Sequence, residues 1–135
     1  DFDPMTRPRL LANTLVPAAV YAHAQRFRAW YRARVAEVFR DVDVVLAPTT
    51  PYPAPLIGAP NTTTVGVVDV PTRSHLGVFT QPLSFIGLPV ISVPLTTPGA
   101  LPLGVQLVAA PFRESVLFRV AAKLESDGVI AAPAA

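Results

Sequence analysis

Cysteine is absent from this chain of 135 residues, lysine occurs once, and charged residues make up only 15% of the sequence. Without cysteine there is no disulfide framework and no thiolate metal site, which fits a cytoplasmic protein. An ordinary soluble domain carries about 25% charged residues, and a small domain has proportionally more surface to keep solvated. The low share of charged residues therefore predicts that another polypeptide normally covers much of the surface of this chain.

Net charge and the ends of the chain exclude further classes of protein. The net charge is +2 and acidic and basic residues are intermixed. The sequence therefore lacks the basic stripe that is typical of nucleic-acid binding, and we expect none. No apolar stretch follows a charged start, so the sequence contains no recognisable secretory signal peptide. The first residue is Asp1 rather than Met, from which we expect a truncated or excised product.

A long uncharged run extends from Phe79 to Leu107. Its prolines and glycines cannot lie in a lipid-facing helix, so we expect no membrane contact. The run instead predicts two short strands buried on both faces, Val90–Val93 and Gly104–Ala109. The connection Pro94–Leu103 is rich in turn residues, which favours antiparallel pairing of neighbouring strands.

Two helices are predicted to cover this sheet. The first, 17–40, begins with Pro17 in its first turn and has apolar residues at helical spacing, namely Val20, Ala24, Phe27, Tyr31, Val35 and Val38. Its arginines, Arg26, Arg32, Arg34 and Arg40, lie off that stripe and form either a solvated face or a binding surface for a carboxylate or an acidic partner. The second helix is Glu114–Ser126, with Gly128 placed to end it.

The other elements are shorter. The sequence predicts a helix Arg9–Leu15, a strand Val44–Ala47, an extended loop 48–60, a second loop 61–78, a helix Pro82–Phe85 ended by Gly87, and a frayed tail 129–135. Together these elements predict the α/β class.

The uncharged run also carries a family resemblance. A T-x-P-x4-G-x-P-x2-S-x-P segment followed by L-P-x-G-x-Q-L resembles the C-terminal signature of the amidase signature family of serine hydrolases. It stands here as Thr80, Pro82, Gly87, Pro89, Ser92 and Pro94, then Leu101, Pro102, Gly104, Gln106 and Leu107. The segment DVVLAPTTP at 43–51 resembles the family's preceding strand and loop. The segment RLLANTLVPAAVYAHAQRFRAWYRARV at 9–35 is similar to the branch that hydrolyses carboxybiuret-like ureido acids.

The resemblance extends from about Met5 to Glu125. It implies the C-terminal part of an amidase-signature fold, with mixed sheet strands covered by helices. It also implies hydrolysis of a small amide or ureido substrate at a carbon–nitrogen bond by a Ser-Ser-Lys acyl-enzyme mechanism, without metal or cofactor.

The catalytic residues of that mechanism are missing from this chain. Its only lysine, Lys123, lies on the polar side of a helix, and no serine lies in a Gly-Ser-rich loop that could form an oxyanion hole. We therefore expect residues 1–135 to be a single partial domain that is inactive alone. Its partner would be the remainder of the amidase domain or a second protein subunit; the alternative is a non-catalytic α/β module that binds a partner subunit.

Three residues are candidates for substrate binding. Thr80 is either a helix cap or a pocket contact, and Gln81 could offer its amide to a ureido group. His75 stands where the family segment more often has Asn, and it is either a substrate contact or a satisfied loop histidine. An independent serine hydrolase would need His75 with Ser74 or Ser84, although the adjacent side chains of Ser74 and His75 would point apart in an extended segment.

Overall fold

The structure is a computed structural model that describes residues 2–4, 6–58, 61–95 and 99–131. In chain order its elements are α1 (Arg7–Thr14), α2 (Ala18–Val38), β1 (Val44–Pro48), β2 (Thr62–Val65), β3 (Val68–Pro71), α3 (Thr72–His75), α4 (Gln81–Ile86), β4 (Val90–Leu95), β5 (Leu103–Ala109) and α5 (Glu114–Ser126). The α/β class is confirmed. α1 begins two residues before the predicted start, because Pro8 is accommodated in its first turn.

A three-stranded sheet with the order β1-β5-β4 forms the centre of the fold. Both pairings are antiparallel, and Leu107 of β5 lies between Ile91 of β4 and Leu46 of β1. The predicted antiparallel pairing of the two strands of the uncharged run is thus confirmed. Part of the connection between them, residues 96–98, lies outside the described residues.

One face of the sheet packs against α5. Val93, Leu107 and Ala109 are buried there together with Leu117 of α5, and this cluster is the hydrophobic core. We expected both strands to be buried on both faces. This is correct for β5 from Gln106 to Ala109, but wrong for β4, whose Ser92 is exposed because it lies on the face opposite α5.

The end of α5 is stabilised by backbone hydrogen bonds around Gly128. This glycine has φ +72°, and its N–H donates to the Glu125 carbonyl while the Val129 N–H donates to the Leu124 carbonyl. That pair of bonds is a Schellman motif, which satisfies carbonyls left free at a helix end. The expectation of a frayed tail is wrong at Ile130, which is 7% exposed and bridges to Leu95; residues 132–135 lie outside the described residues.

The long helix α2 does not take the place we predicted for it. It packs against α4 rather than covering the sheet, and none of its residues is buried. Phe27 stacks on Phe85 with ring centroids 6.3 Å apart, and the Arg28 Nε donates to the Phe85 carbonyl at 2.6 Å. A guanidinium at the carbonyl end of a short helix satisfies an acceptor that the helix itself leaves free.

The segment 61–78 is more regular than the loop we predicted. β2 and β3 form a hairpin in which Val65 pairs with Val68, and Gly66 adopts φ +64° in the two-residue turn. A glycine at the first turn position between β-branched residues is typical of a tight hairpin. α3 follows directly and ends at His75.

Candidate functional site

The segment from Gly77 to Gln81 folds as two overlapping turns that lead into α4. The Gly77 carbonyl accepts the backbone N–H groups of Thr80 at 3.1 Å and Gln81 at 2.8 Å. The Thr80 hydroxyl donates to the same carbonyl at 3.2 Å and makes no capping bond to α4. Thr80 was predicted to be either a helix cap or a pocket contact, and the structure shows that its side chain does not cap α4.

Gln81 is the first residue of α4, and its exposed side chain folds back over Gly77. A Cβ on Gly77 would lie 2.7 Å from the Gln81 Nε2, so a side chain there would displace the amide. Gln81 also lines a surface cavity of about 480 Å³, whose other walls are Phe27, Tyr31, Pro82 and Phe85. Gln81 and Tyr31 are thus the two lining residues with side-chain groups that can both donate and accept hydrogen bonds, in a cavity that is otherwise apolar.

His75 ends α3, two residues before Gly77, and is half-buried. Its imidazole stacks on the Tyr52 ring with centroids 6.0 Å apart and an interplanar angle of 8°. The Tyr52 hydroxyl donates to the Thr72 carbonyl at 2.8 Å, which fixes the ring on which His75 rests. The His75 Nδ1 is buried and has no hydrogen-bond partner among the described residues.

The sequence candidates thus cluster within seven residues of the chain. The Val78 N–H donates to the His75 carbonyl, which joins α3 to the Gly77 turn. No hydrogen bond between the side chains of His75, Thr80 and Gln81 is found within the part of the chain that the structure describes. They share a short stretch of backbone rather than a catalytic hydrogen-bond chain.

Gln106 is a site residue that the sequence reasoning did not select. It lies in the central strand β5, is only 2% exposed, and its Nε2 donates to two backbone carbonyls, those of Pro48 at 2.7 Å and Phe79 at 3.3 Å. Phe79 directly precedes Thr80, so this amide connects the sheet to the candidate segment. The available signal was a glutamine inside an apolar strand, since a buried amide normally has partners.

A second polar contact on the same face lies beside Gly104. The hydroxyls of Thr49 and Ser92 are 2.7 Å apart, and the Thr49 N–H donates to the Gly104 carbonyl at 2.9 Å. A Cβ on Gly104 would lie 2.7 Å from the Thr49 Oγ1 and 2.8 Å from the Ser92 Oγ. Glycine at 104 is therefore what lets the two hydroxyls meet over the strand.

The described residues contain no serine–lysine arrangement of the kind an amidase needs. Lys123 is exposed and forms an ion pair with Asp127, and Ser74 donates its hydroxyl to the Pro71 carbonyl at 3.2 Å rather than to His75. Over the same residues no group of three His, Asp or Glu side chains could hold a metal ion. Nor does any helix in the described ranges have the length and apolar character needed to cross a membrane.

Comparison with known proteins places these features in a family. Residues 1–118 match the model of the amidase family. The chain belongs to this family, as its signature residues and its fold both indicated.

Three relatives define the likeness further. AtzE, the 1-carboxybiuret hydrolase subunit of Pseudomonas sp. (strain ADP), is 43% identical over 132 residues, which are 96% of this chain and 28% of the relative. One subunit of the glutamyl-tRNA(Gln) amidotransferase of Granulibacter bethesdensis is 37% identical over 92% of this chain and 25% of its own length. A solved vestigial protein complex, described as revealing the evolutionary origins of an s-triazine catabolic enzyme, superimposes with a TM-score of 0.90 at 41% identity, over 96% of this chain and 29% of that chain. The chain thus spans less than a third of the length of these relatives.

Proposed function

We propose that this chain forms the C-terminal part of an amidase-family hydrolase that cleaves carbon–nitrogen bonds in small amides or ureido acids. The observation that carries the proposal is the likeness to the 1-carboxybiuret hydrolase subunit, which extends over 96% of the chain. The backbone agreement with the s-triazine catabolic complex supports the same reaction class. Ureido acids of the carboxybiuret type are therefore the first substrates to test.

In this proposal the Ser-Ser-Lys catalytic residues come from outside the chain, and the reaction needs no metal or cofactor. A lysine that acts as a base must lie within hydrogen-bond reach of the serine it deprotonates. Lys123 is solvent-exposed and bound to Asp127 instead. The 135 residues would then supply a wall of the substrate site and no catalytic group.

Thr80, Gln81 and His75 are the proposed substrate contacts. The amide of Gln81 can donate to a ureido carbonyl and accept from a ureido N–H, and it lies at the edge of the cavity of about 480 Å³. His75 is included because it lies two residues before Gly77 on the same stretch of backbone, although its Nδ1 is buried against the protein and does not itself face a substrate. The Thr80 hydroxyl keeps free acceptor capacity after donating to Gly77.

A partner polypeptide, either the remainder of the amidase domain or a second subunit, is part of the proposal. Phe27 and Trp30 of α2 are both 55% exposed, which is an unusual surface for aromatic residues at helical spacing. The similar proteins are themselves described as belonging to larger assemblies, namely a hydrolase with subunits, an amidotransferase with subunits, and a protein complex. A cytoplasmic location belongs to the same proposal and rests on the cysteine-free composition.

The test is an ammonia-release assay with a ureido acid of the carboxybiuret type and a simple aliphatic amide. The purified 135-residue chain should give no turnover, whereas the complete product of the gene that encodes it should hydrolyse the ureido substrate. Turnover by the short chain, persisting after removal of contaminating host enzymes, would contradict the proposal. Absence of turnover by the complete product would contradict it equally.

The contact residues are tested in the complete product. Gln81→Met keeps the length of the side chain but removes both polar groups, and Gly77→Ala displaces the amide without removing it. Both variants should raise KM for the ureido substrate by roughly 3- to 10-fold, the usual effect of one lost hydrogen bond. Ser84→Ala removes an exposed hydroxyl of the same helix that does not line the cavity, so it is the control and should leave KM unchanged.

A further inference from the structure

Gln106 has a side chain whose two N–H donors serve two distant parts of the chain. The Pro48 carbonyl is 58 residues away in sequence and the Phe79 carbonyl is 27 residues away, yet one NH₂ group donates to both. A primary amide is planar, so its two N–H directions are fixed relative to each other. One buried side chain thereby sets the distance between two backbone segments.

The two segments are not equally fixed by other contacts. On the Pro48 side, the backbone N–H of Thr49 donates to Gly104 and its hydroxyl bonds to Ser92, so this side is attached to β5 and to β4 beyond it. On the Phe79 side, the following residues bond to Gly77, which belongs to the same short segment. Among the described residues, the bond from the Gln106 amide to the Phe79 carbonyl is therefore the hydrogen bond that attaches the Gly77–Gln81 segment to the central strand.

We propose that Gln106 is a positioning residue for substrate binding, because its amide holds the Phe79 carbonyl and thereby places Thr80 and Gln81 towards the substrate. This inference rests on the proposed function for the identity of the substrate. Gln106 is buried and its amide donates to backbone carbonyls, so it would affect substrate binding through the position of Phe79. The reacting bond itself is not contacted.

The kinetic test uses Gln106→Met and Gln106→Glu in the complete gene product. Methionine keeps the length and removes both donors; glutamate keeps the shape but directs only acceptors at two carbonyl oxygens. We expect KM for the ureido substrate to rise roughly 3- to 10-fold in Gln106→Met and further in Gln106→Glu, with kcat changed by less than about 2-fold. Such a split marks the loss of interactions made equally in ground and transition states.

A purely structural role would give a different result. A variant that is partly unfolded lowers the active fraction, so kcat per total enzyme falls while KM stays the same. Ser92→Ala is the matched control, because Ser92 pairs with Gln106 across the strands but its hydroxyl contacts Thr49 rather than the Phe79 segment. The proposal is overturned if Gln106→Met lowers kcat at constant KM, or if Ser92→Ala raises KM as much.

A second measurement does not depend on turnover. Amide hydrogen exchange of Thr80 and Gln81, whose N–H groups donate to Gly77, should be at least about 5-fold faster in Gln106→Met, while the amides of α5 keep their rates. Unchanged exchange at both positions overturns the positioning role. If the wild-type protein hydrolyses neither amides nor ureido acids, the proposed function fails, and the exchange experiment still decides whether Gln106 holds the segment.

Discussion

Replacing Gly104 with alanine tests how closely the strand and the loop after β1 approach each other. The added Cβ would lie 2.7 Å from the Thr49 Oγ1, 2.8 Å from the Ser92 Oγ and 2.9 Å from the Thr49 Cβ. Thr49 has little freedom to retreat, because its N–H donates to the Gly104 carbonyl and its hydroxyl bonds to Ser92. A β-branched side chain is also restricted in its rotamers.

Two effects of opposite sign decide the magnitude. Overpacking a site of this kind costs about 1–3 kcal/mol of unfolding free energy. Alanine also reduces the conformational freedom of the unfolded chain, which returns about 0.4–1 kcal/mol where the backbone suits it. Gly104 is not among the glycines with positive φ, so this gain applies. The net expectation is a loss of about 1–2 kcal/mol.

Urea unfolding followed by circular dichroism measures this loss. The same change should lower the melting temperature by roughly 3–6 °C for a chain of this size. Thr49→Ala removes the nearest clashing oxygen but not its Cβ, so the double variant should recover part of the loss, with a coupling energy of at least about 0.5 kcal/mol. A Gly104→Ala chain as stable as the wild type would refute the close approach.

Four further outcomes are expected. Leu117→Ala should lower the free energy of unfolding, measured in urea, by about 2–5 kcal/mol because Leu117 is fully buried. Arg119→Ala, at an exposed position of the same helix, should lower it by less than about 0.5 kcal/mol, and equal losses would contradict the packing of α5. Gly128→Ala should cost about 1 kcal/mol in the same assay because its φ is +72°, and no loss would contradict the Schellman end. Arg28→Met should lose about 0.5–1.5 kcal/mol and exposed Arg32→Met almost nothing, and equal effects would argue against the bond to Phe85. The isolated chain should bind the apolar dye ANS, and the Trp30→Ser chain should bind less of the dye. A monodisperse monomer that binds no dye would show that the exposed aromatic side of α2 is not a binding surface.

The ends of α5 and the pairing of β4 with β5 were predictable because their determinants are local. The stripe of α5 and the glycine after it define a helix whose observed bounds equal the predicted ones. The turn residues after Pro94 favoured a hairpin, and the strands pair as expected. In both cases a short window of sequence contains the physical cause, namely side-chain periodicity or turn propensity.

The contacts of Gln106 and His75 could not be predicted in the same way. Each depends on groups far away in sequence: the Pro48 and Phe79 carbonyls for Gln106, and the Tyr52 ring for His75. A backbone carbonyl has no residue-type signature, so no motif marks it as an acceptor. The sequence could show only that a glutamine in an apolar strand would need partners.

The hairpin of β2 and β3 was missed for another reason. Its residues include Asn61, several threonines and Asp69, a composition that suits a loop as well as a strand. The structure shows that Gly66 provides the turn and that Thr64 donates its hydroxyl to the Asp69 carboxylate across the strands at 2.7 Å. Polar cross-strand pairs of this kind add to the Val65–Val68 pair in stabilising an exposed hairpin.

The contrast between α2 and α5 shows what apolar periodicity does and does not determine. Both helices have apolar residues at helical spacing, yet α5 buries Val116 and Leu117 in this chain while α2 buries nothing. The sheet residues Ile91, Val93, Val105 and Leu107 are not the surface that the low share of charged residues leaves for another polypeptide, because α5 already packs on them. Phe27 and Trp30 of α2 belong to the uncovered apolar surface, as does Leu46 of β1, which is 63% exposed, and exposing such surface to water costs about 25 cal/mol for each Å². Since periodicity identifies an apolar side but not its cover, the unburied side of α2 is one surface on which the proposed partner polypeptide would bury apolar area by binding.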